Sequence, residues 1–341
     1  MKKLLNTLYV TLPDAYLSLD GENVVVKVGE ETVKRVPLHN LEAISTYGYA
    51  GVSPALLGAC AKRKIDITFM TRNGSFLARV TGETKGNVVL RKEQYRISDD
   101  ESKSVLLARN IILGKIFNSK WILERATRDH PLRVDVQKLK DVSALLSEHV
   151  QSVRKVENLE QLRGLEGLAA AQYYSVFDQL ILQQKDHFYF RGRNKRPPLD
   201  NVNALLSFVY TLLANDVKAA LENVGLDAYV GFLHRDRPGR ASLALDMMEE
   251  LRSVCADRFV LSLINKKMVT AKGFVRKENG AVIMDDDTRR MILKAWQERK
   301  QEKIIHPFLH ESITWGLVPH AQALLLARTI RGDLDEYPPF L

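Results

Sequence analysis

The chain is poor in cysteine, with Cys60 and Cys255 the only two among 341 residues. They lie far apart inside helix-like apolar segments. That excludes a disulfide framework of the kind that staples small secreted domains, and both read as reduced core residues of a cytoplasmic protein. No apolar run reaches the roughly 18 residues that cross a bilayer, so no membrane span is expected. The start, Met1-Lys2-Lys3-Leu4-Leu5, has the charge of a secretory leader, but Asn6, Thr7, Pro13 and Asp14 break its apolar stretch too early. No Walker-type glycine loop occurs, so ATP dependence is not expected. His306 and His310 stand four apart without an HExxH motif or a cysteine partner, and read as packing or helix-start residues. Internal repeats and low-complexity tracts are absent too.

What is present is ordinary in bulk and unusual in detail. Hydrophobic residues make up 45% and charged residues 27%, as in soluble globular proteins, and the length allows two domains. The formal net charge of +9 favours a polyanionic partner, most often nucleic acid.

The patterning divides the chain. Alternation at Leu8, Val10 and Leu12, the run Asn23–Val28 after the Asp20-Gly21 turn, and the segments Ile65–Met70 and Ser75–Val80 around Arg72-Asn73-Gly74 predict strands. One helix, capped by Ser53 and opened by Pro54, interrupts them. Beyond the polar segment Ile97–Glu101 the period becomes helical. Helices are expected over 104–121, 136–153, 159–184, 202–221, 242–264, 286–305 and 306–331, the last bending near Pro319. The fold class is therefore α+β, with a β-rich domain over 1–95 and a larger all-helical domain over 96–341.

Three residues of metal-liganding type sit inside apolar runs of the second part. Glu166 shares a helical face with Leu162, Ala169, Tyr173 and Val176. A buried carboxylate there is either paired, with Arg163 as the near partner, or a ligand. His234 follows Gly231-Phe232-Leu233 and is a surface-loop histidine or a ligand. Asp246, Glu249 and Glu250 follow Ser242, a candidate N-cap; complementing the helix dipole explains Asp246 better than Glu249. Taken jointly, carboxylates and an imidazole suit Mg²⁺ or Mn²⁺, the nitrogen favouring Mn²⁺. Such an ion polarises a phosphodiester and activates a hydroxyl or water. Arg235, Arg237 and Arg240 beside His234, and Arg191, Arg193, Lys195 and Arg196 in an aromatic-interleaved stretch from Asp186, are candidate DNA contacts. Asp285-Asp286-Asp287 precedes a helix and reads as a cap. Lys85-Gly86-Asn87 reads as a turn.

Leu165-Glu166-Gly167 with its Ala169–Tyr174 run, Arg196-Pro197-Pro198-Leu199-Asp200-Asn201 opening a helix, Gly231-Phe232-Leu233-His234, and Ser242–Arg252 occur in the order of a known family's motifs. Together they resemble the CRISPR-associated spacer-acquisition integrase and endonuclease, over essentially the whole chain. The Arg235-Asp236-Arg237-Pro238-Gly239 run is similar to that of Dvulg or type I-C members. The resemblance implies that Glu166, His234 and Glu249 are catalytic metal ligands with Asp246 accessory. It implies a homodimer formed by the β-rich domain, with a small ferredoxin-like second Cas protein bridging two dimers. Its reaction joins the 3′-hydroxyls of a double-stranded protospacer to the CRISPR repeat by transesterification. A stand-alone branched-DNA repair nuclease and a non-catalytic DNA-binding scaffold are the competing readings.

Overall fold

The computed structural model describes residues 7–12, 14–48, 51–71, 76–80, 82 and 88–341. The expected leader-like start, the Arg72-Asn73-Gly74 turn and the Lys85-Gly86-Asn87 turn lie outside the described residues. Two compact units emerge: Met1–Lys85 with Met284–Lys303 and Thr314–Leu317, and Gly86–Ile283 with Ile304–Ile313 and Val318–Leu341.

The first unit holds strands β1 (Thr7–Val10), β2 (Ala15–Asp20), β3 (Asn23–Val28), β4 (Glu31–Pro37), β5 (Ala43–Tyr47), β6 (Gly51–Val52), β7 (Asp66–Met70) and β8 (Phe76–Val80), with helix α1 (Pro54–Arg63) between β6 and β7. One sheet runs β1-β5-β7-β8 and the other β4-β3-β2-β6. Gly21, at φ +56°, makes the tight turn that folds β3 back on β2. Leu17, Val24, Ile44, Leu56 and Ile67 are buried in the shared apolar core. Ser53 caps α1 by accepting from the Leu56 amide at 3.2 Å, and Pro54 opens the helix, as the sequence predicts. The strands β2, β4, β5 and β6 escaped the sequence reading. β4 in particular exposes most of its residues, so no alternating apolar face marks it.

The second unit is built from α2 (Val88–Asp99), α3 (Glu101–Asp129), α4 (Val136–Val153), α5 (Leu159–Ser175), α6 (Asn201–Val224), α7 (Ser242–Leu251) and α8 (Arg258–Asn265). A π-helical turn, Arg252–Asp257, joins α7 to α8, where one continuous helix was expected. α5 is shorter than expected and runs into a 3-10 turn at Phe177–Leu180. Short strands β9 (Phe274–Arg276), β10 (Val282–Met284), β11 (Lys303–Ile305) and β12 (Ser312–Thr314) interrupt what was expected to be all helix, around α9 (Asp286–Gln301) and before α10 (Val318–Ile330). Pro319 lies in the first turn of α10 rather than at a bend, because its missing amide costs nothing there. His306 is buried in the β11–β12 connection with its ring 3.1 Å from the Gln322 side chain, so it opens no helix.

The boundary falls after Lys85, not at 95, and the reason is Gln94 of α2. Its buried amide donates to the Asp227 and Val230 carbonyls at 2.8 and 2.9 Å, while its oxygen accepts from the Asp227 amide at 2.9 Å. Three satisfied bonds to one loop of the helical unit commit α2 to that unit.

α3 is its central helix, packing against α4, α5 and α7. Its face of Ile111, Ile112, Ile116 and Leu123 is buried, each side chain contributing about 2 kcal/mol. α6 is long and apolar enough to cross a bilayer by composition, a point the run count missed. Yet 61% of its apolar window is buried and it packs against α7 and α10, as a core helix does. Asp285 caps α9 by accepting from the Thr288 amide at 2.8 Å, with Asp286 and Asp287 paired to Arg289 and Arg290, so this acidic cluster is structural as expected.

Cys60 and Cys255 are free and buried. Burial pushes the Cys60 thiol up to about 11, against the opposing pull of Arg63. In the native protein Cys60 is therefore expected to resist a thiol reagent at pH 8, with peptide mapping finding label there only after denaturation. Rapid native labelling of Cys60 would contradict this packing.

Candidate metal centre

Asn158 caps α5 by accepting from the Gln161 amide at 2.9 Å, and two turns later the helix presents Glu166, whose side chain is 27% exposed. Arg163 is not its partner. That guanidinium donates twice to the Leu233 carbonyl, at 3.0 and 2.7 Å, and so fixes the residue before His234. Glu166 pairs instead with the ammonium of Lys115 on α3.

The histidine loop is held by one carboxylate. Asp246, fully buried on α7, accepts from the Phe232 and Leu233 amides through Oδ2 at 2.7 and 3.0 Å, and from the His234 amide through Oδ1 at 3.0 Å. The same Oδ1 lies 2.6 Å from His234 Nδ1. Both oxygens are committed, so Asp246 is a positioning group. By placing the Nδ1 proton toward itself, it leaves the Nε2 lone pair for an ion. Gly231 permits this close turn, since a Cβ there would stand 2.8 Å from Asp246 Oδ2. Ser242 is not the cap expected: Ala241 occupies that position, and the Ser242 hydroxyl donates to the Arg235 carbonyl at 3.3 Å.

One turn along α7, Glu249 is buried between two cations. Its Oε1 meets Arg252 at 2.6 Å and its Oε2 meets Lys115 at 2.7 Å. Burial alone would raise its carboxyl, but the Arg252 and Lys115 charges outweigh that and, with help from His234, hold it at about 2. Arg252 is steadied in turn over the Tyr210 ring at 4.9 Å. Tyr210 and Tyr173 donate to Asp257 at 2.5 and 3.1 Å, and burial pushes that carboxyl up to about 6.

Glu250, the next residue, faces the opposite way. Tyr337, Gln322 (3.0 Å) and the Phe340 amide (2.8 Å) donate to it, so it takes no part in the Glu166–Glu249 site. Glu166 and Glu249 thus converge on one ammonium, with His234 near enough to act on Glu249. Among the described residues no three acidic, histidine or cysteine side chains stand already gathered as a coordination set. The donor chemistry nonetheless fits a divalent ion. Two ionised carboxylates and an oriented imidazole are at hand, and the buried Glu249 Oε2 lacks an aligned hydrogen bond.

The candidate DNA contacts divide. Arg191, Lys195, Arg196, Arg235 and Arg237 are exposed, and Arg240 is half-buried. Arg193 is turned inward: it donates to Asn203 at 2.8 Å and Ser207 at 3.1 Å and stacks over Tyr210, tying its loop to α6. Phe188 and Phe190 are core residues, Phe190 stacking on Tyr174 at 5.4 Å, so they offer no platform for bases. Lys115 and Arg252 went unread in the sequence. The signal for Lys115 was present, a lone cation within Ile111–Ile116, the same embedded-charge pattern that marked Glu166.

The model of the family "CRISPR associated protein Cas1" matches residues 8–298. The chain is 50% identical over 341 residues to the CRISPR-associated endonuclease Cas1 1 of Chlorobaculum tepidum, covering 100% of this chain and 99% of that one. A Cas1 protein from Thermotoga maritima superposes with a TM-score of 0.81 at 22% identity, over 96% of this chain and 97% of that one. A casposase bound to integration product gives 0.84 at 22% identity, over 98% and 93%. Both share the fold, a strand-rich N-terminal region followed by a helical one.

Burial pushes the Glu250 carboxyl up to about 7 from the ordinary 4.5, despite the three donors that pull it down. Between these values the folded chain keeps a proton that the unfolded chain has lost. Stability from this group is thus full below pH 4.5 and declines as pH rises to 7, by about 3 kcal/mol. Urea unfolding across pH 5 to 8 is expected to show that decline in the wild type and a flatter profile in Glu250→Gln. Parallel profiles would contradict it.

Proposed function

The chain belongs to the Cas1 family of CRISPR-associated proteins, and from that premise we propose that it is a metal-dependent DNA endonuclease and integrase that inserts protospacers into a CRISPR repeat. The observation that carries this reading is the convergence of Glu166 and Glu249 on one cation, beside an imidazole whose Nδ1 is engaged by Asp246.

Glu166, His234 and Glu249 would hold the ion. Mg²⁺ or Mn²⁺ so held supplies charge to polarise the phosphodiester and to acidify the attacking hydroxyl. The chain's own groups do the rest. Asp246 keeps the imidazole in one tautomer and orientation. Arg252 keeps Glu249 ionised where burial alone would protonate it. Arg235 and Arg237, exposed just after the histidine, and Arg240 are placed to contact phosphates on either side of the scissile bond, and Arg191, Lys195 and Arg196 to track the duplex further out. In joining, the protospacer 3′-oxygen forms a new bond to phosphorus while the repeat's own 3′-oxygen leaves. The number of phosphodiester bonds is conserved and no nucleotide triphosphate is needed. Water in place of the hydroxyl gives cleavage by the same residues.

The strand-rich unit serves as the homodimer interface, and a small ferredoxin-like second Cas protein bridges two dimers in the cytoplasm. The run after His234 supports placement with the Dvulg or I-C subtype.

The test is strand transfer of a labelled duplex with free 3′-hydroxyls into a repeat-bearing plasmid, with the second Cas protein and Mn²⁺ or Mg²⁺. Glu166→Gln, His234→Ala and Glu249→Gln are each expected to lower joining by about 100-fold or more, and a chelator to abolish it. Cleavage of branched DNA without joining would favour a repair nuclease. Normal DNA binding with no metal-dependent chemistry would favour a scaffold.

A further inference from the structure

Lys115 is out of place on α3. Ile111, Ile112, Leu113 and Ile116 around it are buried apolar residues, and its own side chain is only 9% exposed. A lysine is almost never buried without a partner. This one has two, Glu166 and Glu249 Oε2 at 2.7 Å, and they are the carboxylates assigned above to the ion. An ammonium and a divalent cation seek the same oxygens there, and their like charges repel strongly in a site so shielded from water.

The ammonium has somewhere to go. Beside it lies a cavity of about 20 Å³, lined by Lys115, Ser119, Tyr173, Tyr174, Arg252 and Asp257. That is room for one water-sized group, which is also the size of an ammonium head. Arg252 is already committed to Glu249 at 2.6 Å, so the carboxylate that a second cation would meet in the cavity is Asp257.

We propose that Lys115 is an exchangeable counter-cation: it pairs Glu166 and Glu249 until a divalent ion takes both carboxylates, and then withdraws toward Asp257. The inference rests on reading Glu166, His234 and Glu249 as the ion's ligands. Without such a cation the two carboxylates would repel each other inside an apolar bundle; with it, they stay ionised and aligned. The ion's apparent affinity is then lowered by the fraction of molecules in which the ammonium occupies its place.

Mn²⁺ uptake in the absence of DNA, followed by calorimetry and by the resonance of free Mn²⁺, tests this. Lys115→Met is expected to bind Mn²⁺ about tenfold more tightly than wild type and to melt at lower temperature in chelator, with Mn²⁺ restoring more of that loss. Lys115→Arg keeps the charge if the methionine variant fails to fold. It is expected to bind Mn²⁺ more weakly, because its fork holds both carboxylates at once. Asp257→Asn, which removes the receiving charge, is expected to weaken uptake several-fold. Wild-type affinity in both Lys115 variants overturns the proposal, and wild-type affinity in Asp257→Asn overturns the withdrawal step. If wild type binds Mn²⁺ and Glu166→Gln does not, failure of the Lys115 variants to shift affinity sinks only the counter-cation. If wild type takes up no Mn²⁺, the metal reading falls and Lys115 falls with it.

Discussion

Charge buried in an apolar helical bundle must be matched or neutralised, and the centre of this protein is arranged around that constraint. Glu249 lies within α7 with leucine and methionine neighbours, yet it is ionised because Arg252 and Lys115 flank it at 2.6 and 2.7 Å. Each of those cations is itself tied down, Lys115 by Glu166 and Arg252 by the face of Tyr210. Asp257, with weaker compensation, drifts toward protonation, and so does Glu250 on the other side of α7. Neighbouring carboxylates of one helix thus have opposite character because their partners differ, cations for one and neutral donors for the other.

The same constraint explains why the histidine can be oriented so closely. A loop running from Gly231 to His234 would leave several amides unsatisfied at the edge of the bundle. Asp246 gathers three of them and the imidazole nitrogen on two oxygens. Arg163 completes the frame by taking the Leu233 carbonyl, and Gln94 anchors the preceding turn at Asp227 and Val230. Preorganisation of this kind removes the ordering cost from the moment of ligand binding.

Much of this was legible in the sequence. Acids and a histidine set in apolar runs marked Glu166, His234 and Glu249. Helix periodicity placed α4 at its observed ends and α3 and α6 to within a turn or two. What stayed hidden depended on three-dimensional neighbours. Arg163 was the natural partner for Glu166 by spacing, but a side chain three residues away on a helix competes with anything the fold brings closer, here Lys115, 51 residues earlier. Arg193 looked like a DNA contact because its neighbours are basic, yet Asn203 and Ser207 of α6 draw it inward. The short strands β9 to β12 carry too few residues for alternation to rise above noise.

The π-helical turn between α7 and α8 has a meaning in the arithmetic of insertion and deletion. Such a turn carries one residue beyond what a regular helix would need, so the segment from Ser242 to Asn265 holds two angular frames joined at Arg252–Asp257. The first frame aims Glu249 at Lys115; the second aims Asp257 at Tyr173 and Tyr210. Losing a single residue here would merge the frames and turn everything downstream by about 100°. Chemically mild substitutions along this stretch leave that phase intact, whereas a one-codon deletion does not. The length of the segment is therefore as much a part of its information content as the identity of its acids.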